Sequence, residues 1–246
     1  MSSESAPKLA FVTGGSRGLG FEVARGLARS GISSVLIAKD SERLKNAAQQ
    51  LSAEFPELTF QTSACDLEDQ VQTRKTSEDL LAKYGAPFAL VLAPGVMSAK
   101  MSKTLRTTDA EWRRVMAINL DSVFTLVNVL GAAMADARDG RRVVIFSACL
   151  GRMSGPGNAG GLAPYRISKA GVNAFVRNLA HETGLGARGF YVDAICPNHS
   201  RTDMGGPDAP RSAEEGAECA VWLATREFNE GDTTGVLWED RQIVEW

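Results

Sequence analysis

Short apolar runs alternate with longer segments of helical periodicity along the chain. The apolar runs predict seven strands, at Leu9–Thr13, Ser34–Ala38, Leu58–Ala64, Phe88–Ala93, Arg142–Ala148, Tyr191–Cys196 and Gly235–Trp238. The helical segments between them are Phe21–Ser30, Ser41–Phe55, Glu68–Tyr84, Asp109–Asp136, Pro164–Thr183 and Ser212–Arg226. The strand runs are continuously apolar, which is typical of a parallel sheet covered by helices on both faces. The pattern therefore predicts an α/β fold, a doubly wound sheet of seven parallel strands.

Composition agrees with one folded domain over residues 1–246 and excludes several classes of function. The 27 basic side chains nearly balance the 29 acidic ones, so no basic excess is available to bind nucleic acid. The four cysteines are widely spaced and there are two histidines, so we expect neither a metal site nor a disulfide framework. The start, MSSESAPK, lacks the apolar core of a signal peptide, and no apolar run reaches ~18 residues. We expect a cytoplasmic protein without a membrane segment.

A glycine-rich turn follows the first predicted strand and leads into a helix. It reads Thr13-Gly14-Gly15-Ser16-Arg17-Gly18-Leu19-Gly20. Glycines allow a tight turn whose backbone amides can approach a pyrophosphate, and the positive end of the following helix favours the same anion. A glycine-rich connection without a ligand is the alternative. The position of the turn favours a dinucleotide cofactor and a Rossmann-type sheet.

Two cations near the end of the second strand bear on the choice of cofactor. In such folds an acid at this place holds the ribose 2′-OH of NAD, whereas a cation accommodates the 2′-phosphate of NADP. Lys39 follows the strand, and Arg17 lies in the glycine turn. If both reach one phosphate, the cofactor is NADPH/NADP+ rather than NADH. The alternative is that both are solvated surface charges, and Asp40 could pair with Lys39 or bind ribose.

A tyrosine and a lysine lie four residues apart in a predicted helix. Tyr165 and Lys169 therefore share one helix face. A cation beside a phenol favours the phenolate and lowers its pKa, which makes the tyrosine usable as a proton donor or acceptor. Ser147 lies at the end of the fifth strand, the edge at which ligands bind in sheets of this kind. The combination indicates a catalytic site.

These motifs together resemble the short-chain dehydrogenase/reductase family, whose turn reads Thr-Gly-x-x-x-Gly-x-Gly. The resemblance spans nearly the whole chain, and the segments TDMGGPDAPRSAEEGA and DRQIVEW are similar to the carbonyl-reductase-like branch. It implies that Tyr165 protonates a carbonyl oxygen as hydride arrives from the nicotinamide, while Ser147 hydrogen-bonds the same oxygen. It also implies that Lys169 lowers the pKa of Tyr165 and holds the nicotinamide ribose. Asn119 would help to hold a water that relays protons to Lys169.

Further matches to the family extend the expected cofactor site. Asp66 matches an aspartate that binds the adenine amino group, although a strand-end cap is the alternative, and Thr202 matches a threonine that contacts the nicotinamide carboxamide. With the catalytic Tyr165 and Lys169, the other residues expected at the cofactor are Gly14, Ser16, Arg17, Gly18, Leu19, Gly20, Lys39, Asp40, Leu67, Ala93, Gly95, Pro197 and Met204. The chain has Leu92-Ala93-Pro94-Gly95 where the family usually has Asn-Asn-Ala-Gly. We therefore expect altered packing near the adenine ribose.

The glycine-rich loop between Ser147 and Tyr165 is expected to wall the substrate site. Met153 and Leu162 are its candidate apolar residues, and His199 could face the substrate, although an exposed loop position is the alternative. The leading hypothesis is NADPH-dependent reduction of a small-molecule ketone or aldehyde. An alcohol dehydrogenase working in oxidation and a non-catalytic cofactor-sensing protein are the alternatives.

An assembly of several copies is a further expectation. The predicted helix Asp109–Asp136 is apolar on more than one face, so it should be buried nearly all round. The resemblance implies that copies pair through this helix and the helix that carries Tyr165. We therefore expect a homodimer or homotetramer, with a monomer covered by its own loops as the alternative.

Overall fold

The computed structural model describes residues 8–99, 103–155, 159–229 and 231–246. The first seven residues, which include most of the segment judged for a signal peptide, lie outside this range. Residues 156–158 of the predicted substrate loop also lie outside it.

In the part of the chain that the structure describes, eight strands form one sheet. They are β1 (Leu9–Thr13), β2 (Ser33–Ala38), β3 (Phe60–Ala64), β4 (Ala89–Leu92), β5 (Arg141–Phe146), β6 (Phe190–Ile195), β7 (Leu237–Glu239) and β8 (Gln242–Val244). Their order is β3-β2-β1-β4-β5-β6-β7-β8, and the first seven strands in this order are parallel to one another. The predicted seven-stranded parallel sheet is thereby confirmed. Because the chain reverses its direction of travel across the sheet between β1 and β4, a crevice opens there at the carboxyl ends of the strands.

The eighth strand was not predicted from the sequence. Strand β8 is antiparallel to β7 and follows a two-residue turn in which Asp240 and Arg241 both have positive φ. This is the backbone of a tight hairpin, which usually has Asn or Gly at these positions. A three-residue strand is too short to show periodicity, so the sequence carried no readable signal for it.

Among the described residues, seven α-helices cover the two faces of the sheet. They are α1 (Gly18–Arg29), α2 (Ser41–Glu54), α3 (Gln70–Tyr84), α4 (Asp109–Met116), α5 (Ser122–Ala137), α6 (Ala163–Glu182) and α7 (Ala213–Thr225). One apolar core joins the sheet to α1, α2 and α7, and a second joins it to α3, α5 and α6. Successive residues of a strand point to opposite faces of the sheet. Because helices cover both faces, the central strands are apolar at every position rather than at every second one.

The helix starts show how local side chains fix the boundaries. The predicted caps are confirmed at Thr108, whose Oγ1 accepts the Glu111 amide, and at Ser212, which forms a reciprocal capping box with Glu215. Helix α2 is capped by Asp40, one residue before its predicted start. A side-chain oxygen at the N-cap satisfies an amide that has no partner inside the helix.

The prediction of one continuous helix from 109 to 136 is wrong in one respect. A π-helical turn, Ala117–Asp121, separates α4 from α5 and contains Asn119. Such a turn accommodates an extra residue and often occurs at functional sites. By length and composition the whole segment Asp109–Ala137 could cross a membrane, which the sequence analysis did not anticipate. Half of its most apolar part is buried inside the fold, as in a core helix.

Candidate active site

The glycine turn is packed too closely at Gly14 and Gly20 to leave room for a side chain. Gly14 has φ +67°, a conformation that disfavours any side chain, and a Cβ there would lie 2.9 Å from the Ala93 carbonyl oxygen. A Cβ at Gly20 would lie 2.4 Å from the carbonyl oxygen of Gly14. Any side chain at Gly20 would therefore push the turn open. The turn and the start of α1 must be packed this closely for backbone amides to face a ligand.

The N-terminus of α1 is left without a side-chain cap. Arg17 is the N-cap residue and makes no capping hydrogen bond, and the first turn of α1 contains no acidic residue. By contrast, α2, α3, α4 and α7 are each capped by a side-chain oxygen. An uncapped helix start next to a glycine cradle fits the diphosphate of a dinucleotide, because the amides and the helix dipole both favour an anion. Ser16, Gly18 and Leu19 belong to this same turn.

The two cations expected at a 2′-phosphate bind different carboxylates in this structure. The Lys39 ammonium lies 2.6 Å from Asp66, and the Arg17 guanidinium pairs with Asp203. Asp40 does not pair with Lys39, since its carboxylate accepts the amides at the start of α2. Those amides lower the pKa of Asp40. Exposed ion pairs are worth about 0–1 kcal/mol each, so a doubly charged phosphate could compete for both cations.

The segment that departs from the family pattern is braced by other groups. The Ala93 amide donates to Thr13 Oγ1 at 2.9 Å, which joins the ends of β1 and β4. The Pro94 carbonyl accepts from the Lys169 ammonium at 3.3 Å. The side chain of Thr13 therefore supplies a link between these strand ends, and the loss of the family's asparagine leaves the edge hydrogen-bonded. Leu67, beyond β3, packs against the core on the α3 side.

The loop after β6 closes over the glycine turn. Thr202 lies against Gly18, and Met204 lies against Gly95, at 3.2 and 3.1 Å from where a Cβ would stand on each glycine. Asn198 adopts the left-handed backbone, φ +57°, which asparagine tolerates better than most residues. The loop is held at its start by Ser200 Oγ, which donates to the Pro197 carbonyl. Thr202 and Met204 are thus brought to the crevice together with the turn.

Lys169 is the buried charge of the site. Its side chain is 3% exposed, and its ammonium donates to the Phe146 carbonyl at 2.7 Å and to the Pro94 carbonyl at 3.3 Å. These carbonyls end β5 and follow β4, so Lys169 bridges the carboxyl edge of the sheet. Burial lowers the pKa of Lys169 to about 8, because the charged form is poorly solvated there.

Tyr165 shares the face of α6 with Lys169, as the spacing predicted. The Lys169 ammonium lies 6.0 Å from the centre of the tyrosine ring. Burial raises the pKa of Tyr165, with a further increase from the nearby thiols of Cys196 and Cys149. Burial therefore dominates the pKa of Tyr165 in this structure, and the expectation that Lys169 lowers it stays a prediction. The ammonium is directed at the Phe146 and Pro94 carbonyls, while the phenol is removed from water.

Ser147 has a partner that the sequence analysis missed. Its Oγ donates to Asn173 Oδ1 at 2.5 Å and approaches the Lys169 carbonyl oxygen at 3.2 Å. The amide of Asn173 is fixed in this orientation, because its Nδ2 donates to the Gly151 carbonyl at 3.2 Å. A serine hydroxyl has one proton, so Ser147 must release Asn173 before it can donate to a substrate oxygen.

The signal that could have identified Asn173 was its spacing. Tyr165, Lys169 and Asn173 stand four residues apart, on one face of α6 that points toward the end of β5. An asparagine that is only 4% exposed calls for a buried hydrogen-bond partner.

Asn119 anchors the segment that follows β4. Its Oδ1 accepts the Val96 amide at 2.8 Å, and its Nδ2 donates to the Val96 carbonyl and to Ser168 Oγ. Ser98, two residues on, accepts the amide of Tyr165 at 2.9 Å. The π-helical turn places Asn119 between this segment and α6, so its side chain joins the two through three hydrogen bonds.

The residues expected at the substrate are the least constrained. Met153 is 78% exposed, and Leu162 is half-buried with φ +53°, a strained conformation one residue before α6. His199 is exposed, and its Nε2 lies 2.7 Å from the Gly205 carbonyl oxygen in its own loop. The alternative of a surface histidine agrees better with this position than a substrate contact does. No group of three potential metal ligands occurs among the described residues.

Comparison with known proteins identifies what this arrangement is similar to. A sequence model for the short chain dehydrogenase family matches residues 8–213. The chain is 32% identical over 197 residues to the 3-oxoacyl-[acyl-carrier-protein] reductase FabG of Salmonella typhimurium, covering 80% of this chain and 75% of the relative. It is 34% identical over 199 residues to the galactitol 2-dehydrogenase (L-tagatose-forming) of Cereibacter sphaeroides, covering 79% and 72%.

Solved structures share the whole fold. A blue fluorescent protein from a metagenomic library, determined in complex with NADPH, superposes with a TM-score of 0.79 at 27% identity, over 95% of this chain and 96% of that one. A dehydrogenase/reductase from Sinorhizobium meliloti 1021 superposes with a TM-score of 0.82 at 24% identity, over 96% and 94%. The second likeness shows the fold alone.

Proposed function

Because the chain belongs to the short chain dehydrogenase family of oxidoreductases, which act on alcohol or carbonyl groups, we propose that it reduces a small ketone or aldehyde with NADPH. The observation that carries the proposal is the setting of Lys169. A buried ammonium spans the ends of β4 and β5, on the same helix face as Tyr165 and beside the uncapped glycine turn. A phenol and an ammonium at a dinucleotide cradle suit proton transfer coupled to reduction.

The residues that would hold the cofactor fit a dinucleotide. The backbone-lined turn at Gly14 and Gly20 and the free start of α1 suit its diphosphate, and Thr202 and Lys169 stand farther along the same crevice. When bound, a reduced nicotinamide supplies the hydride for the carbonyl carbon. The protein's task is to orient the carbonyl, exclude water and deliver a proton to its oxygen.

In the proposed mechanism Tyr165 gives its proton to the carbonyl oxygen. The raised pKa of Tyr165 keeps the phenol protonated throughout the neutral range, which is the form needed in reduction. Ser147 turns its hydroxyl from Asn173 to the same oxygen, where one donor is typically worth about 2.7–4 kcal/mol in the transition state. The Lys169 ammonium, with the water chain expected beside Asn119, stabilises the phenolate that remains and restores its proton.

NADPH is proposed ahead of NADH on two grounds. The structural relative at 27% identity was determined with NADPH bound. In this chain the rim of the crevice carries Arg17 and Lys39, whose exposed ion pairs a 2′-phosphate could replace. Asp66 would then be released from Lys39 to meet the adenine amino group.

Oxidation of an alcohol is the second candidate. A galactitol 2-dehydrogenase is 34% identical to this chain, so the same residues could run the reaction in the opposite direction. The same site serves both directions, because Tyr165 would then accept the proton. The cofactor-sensing alternative lacks support from the residues, since Asn119, Ser147, Tyr165 and Lys169 are all present.

The test is consumption of NADPH and NADH, followed by absorbance, with a panel of ketones and aldehydes. We expect turnover with NADPH, a weaker rate with NADH, and a Tyr165→Phe variant that binds NADPH but loses at least about 10³-fold in kcat. Lys39→Ala together with Arg17→Ala should raise the KM for NADPH and leave that for NADH nearly unchanged. Full activity of Tyr165→Phe, or a clear preference for NADH, would contradict the proposal. A cytoplasmic location and a homodimer or homotetramer remain part of it.

A further inference from the structure

Two cysteines that the proposed reaction does not use contact each other beside the active site. Cys149 begins a short 3-10 turn, Cys149–Gly151, beyond the end of β5, and Cys196 directly follows β6. Strands β5 and β6 are parallel neighbours, so both thiols stand at the carboxyl edge of the sheet. The Cys149 amide donates to Cys196 Sγ at 3.0 Å. The backbone of Cys149 therefore contacts the sulfur of Cys196, which places the two cysteines side by side at this edge. A disulfide joins residues that are close neighbours in space.

The setting makes one thiol of the pair reactive. The hydrogen bond from Cys196 lowers the pKa of Cys149 to about 6 and raises that of Cys196, because one shared proton stabilises the first thiolate and opposes a second. Cys149 is partly exposed, whereas Cys196 is buried. A partly exposed thiolate beside a second thiol is the arrangement in which oxidation proceeds to a disulfide.

We propose that Cys149 and Cys196 form a dithiol site that reacts with hydroperoxides and closes to an intramolecular disulfide. The Cys149 thiolate attacks the O–O bond of the hydroperoxide, takes one oxygen as a sulfenic acid and releases an alcohol, or water from hydrogen peroxide. The Cys196 thiol then attacks the Cys149 sulfur and expels water. Two electrons pass from the two sulfurs to the peroxide bond, and one S–S bond replaces two S–H bonds.

Formation of this disulfide would shift backbone at the carboxyl edge of the sheet, where Ser147 and Lys169 lie. The S–S distance must fall to ~2.05 Å, which pulls the Cys149–Gly151 turn toward the end of β6. Gly151 is packed so tightly that a Cβ on it would lie 2.6 Å from the backbone carbon of Lys169, and its carbonyl holds Asn173. A shift of the turn is therefore transmitted to Lys169 and, through Asn173, to Ser147. This effect on activity rests on the proposed function, whereas the formation of the disulfide does not.

The experiment treats the reduced full-length protein with a small excess of hydrogen peroxide and counts free thiols with a chromogenic disulfide reagent. We expect the four free thiols per chain to fall to two, and a peptide pair joined through Cys149 and Cys196 to appear in non-reducing mass spectrometry. NADPH-dependent reduction should fall at least about tenfold and return with dithiothreitol. The Cys149→Ser variant cannot form the disulfide, so the same peroxide treatment should leave its activity unchanged.

Cys219→Ser is the matched control, since Cys219 is a buried thiol on α7 that takes no part in the pair. This variant should still form the disulfide and lose activity on oxidation. Four remaining thiols, a sulfinic acid on Cys149 without a disulfide, or a bridge between two chains would each overturn the proposal. A mapped disulfide with unchanged turnover would overturn the inhibitory part. If the protein reduces no carbonyl at all, the proposed function fails. Mapping of the disulfide then still tests the dithiol site, because it does not depend on carbonyl reduction.

Discussion

Alkaline pH is expected to have opposite effects on activity and stability through Lys169. The pKa of this side chain is about 8 in the folded protein against 10.5 in the unfolded chain, because the ammonium is buried. Between these two values the unfolded chain keeps a proton that the folded protein has lost, so the free energy of unfolding rises with pH. At about 1.4 kcal/mol per pKa unit, the whole rise amounts to about 3 kcal/mol. Over the same range the proposed reaction loses its ammonium.

The stability effect is isolated by comparing the wild type with Lys169→Met. Removing the ammonium leaves the Phe146 and Pro94 carbonyls without their donor, a cost that does not change with pH. Urea unfolding of both proteins at several pH values between 7.5 and 10 therefore separates the two terms. We expect the wild type to gain on the variant by about 2 kcal/mol across this range. An unchanging difference would refute the reasoning.

The activity effect is read from kcat/KM for NADPH, which reports ionisations of the free enzyme. We expect this parameter to fall tenfold per pH unit above about 8, the pKa of Lys169. A Lys169→Arg variant stays charged at every accessible pH, so its profile should be flat there, whatever its absolute rate. The same alkaline fall in Lys169→Arg would show that another group is titrating.

Four further outcomes are expected. Asn173→Leu removes the acceptor of the Ser147 hydroxyl, so kcat should fall about tenfold (about 1.4 kcal/mol) with the NADPH affinity unchanged. The same change in a Ser147→Ala background should cost almost nothing, and additive losses would contradict the link. Asp193 is buried with a pKa raised to about 6, so the folded protein keeps a proton that the unfolded chain has lost, and stability falls as pH rises from about 4 to 6. Asp193→Asn should gain about 2 kcal/mol on the wild type over that range, measured by urea unfolding. Gly20→Ala, whose Cβ would lie 2.4 Å from a carbonyl oxygen, should abolish NADPH binding in a fluorescence titration while the far-UV circular dichroism is retained. Sedimentation should give a dimer or tetramer that Phe124→Glu, a change at a 51% exposed apolar position on α5, converts to a 26.3 kDa monomer.

Local patterns predicted the order and type of most elements. The boundaries of the seven predicted strands agree with the structure to within three residues, and caps at Thr108 and Ser212 could be read directly. These features depend on residues that are close together in the sequence, so they can be predicted from it. The π-helical turn at Asn119 could not be read in this way. It depends on hydrogen bonds between Asn119 and Val96, which are distant in sequence.

In the candidate site, too, the local features could be predicted from the sequence and the long-range contacts could not. The spacing of Tyr165 and Lys169 and the uncapped glycine turn are local, and their positions in the fold are as predicted. The direction in which the Lys169 ammonium points depends on carbonyls from two other strands, and the burial of Tyr165 depends on the packing around it. For this reason the pKa of Tyr165 is raised where the motif alone suggested that it would be lowered.

The sequence by itself determined which residues are present and how they are spaced: a glycine turn after the first strand, four catalytic candidates in family order, and apolar strands that require two covering layers. Only the tertiary structure decided which groups meet. It joined Ser147 to Asn173, Ala93 to Thr13, and Cys149 to Cys196. The physical reason is that hydrogen bonds, burial and charge act over a few ångströms in space, while the residues concerned lie 26 to 80 positions apart along the chain.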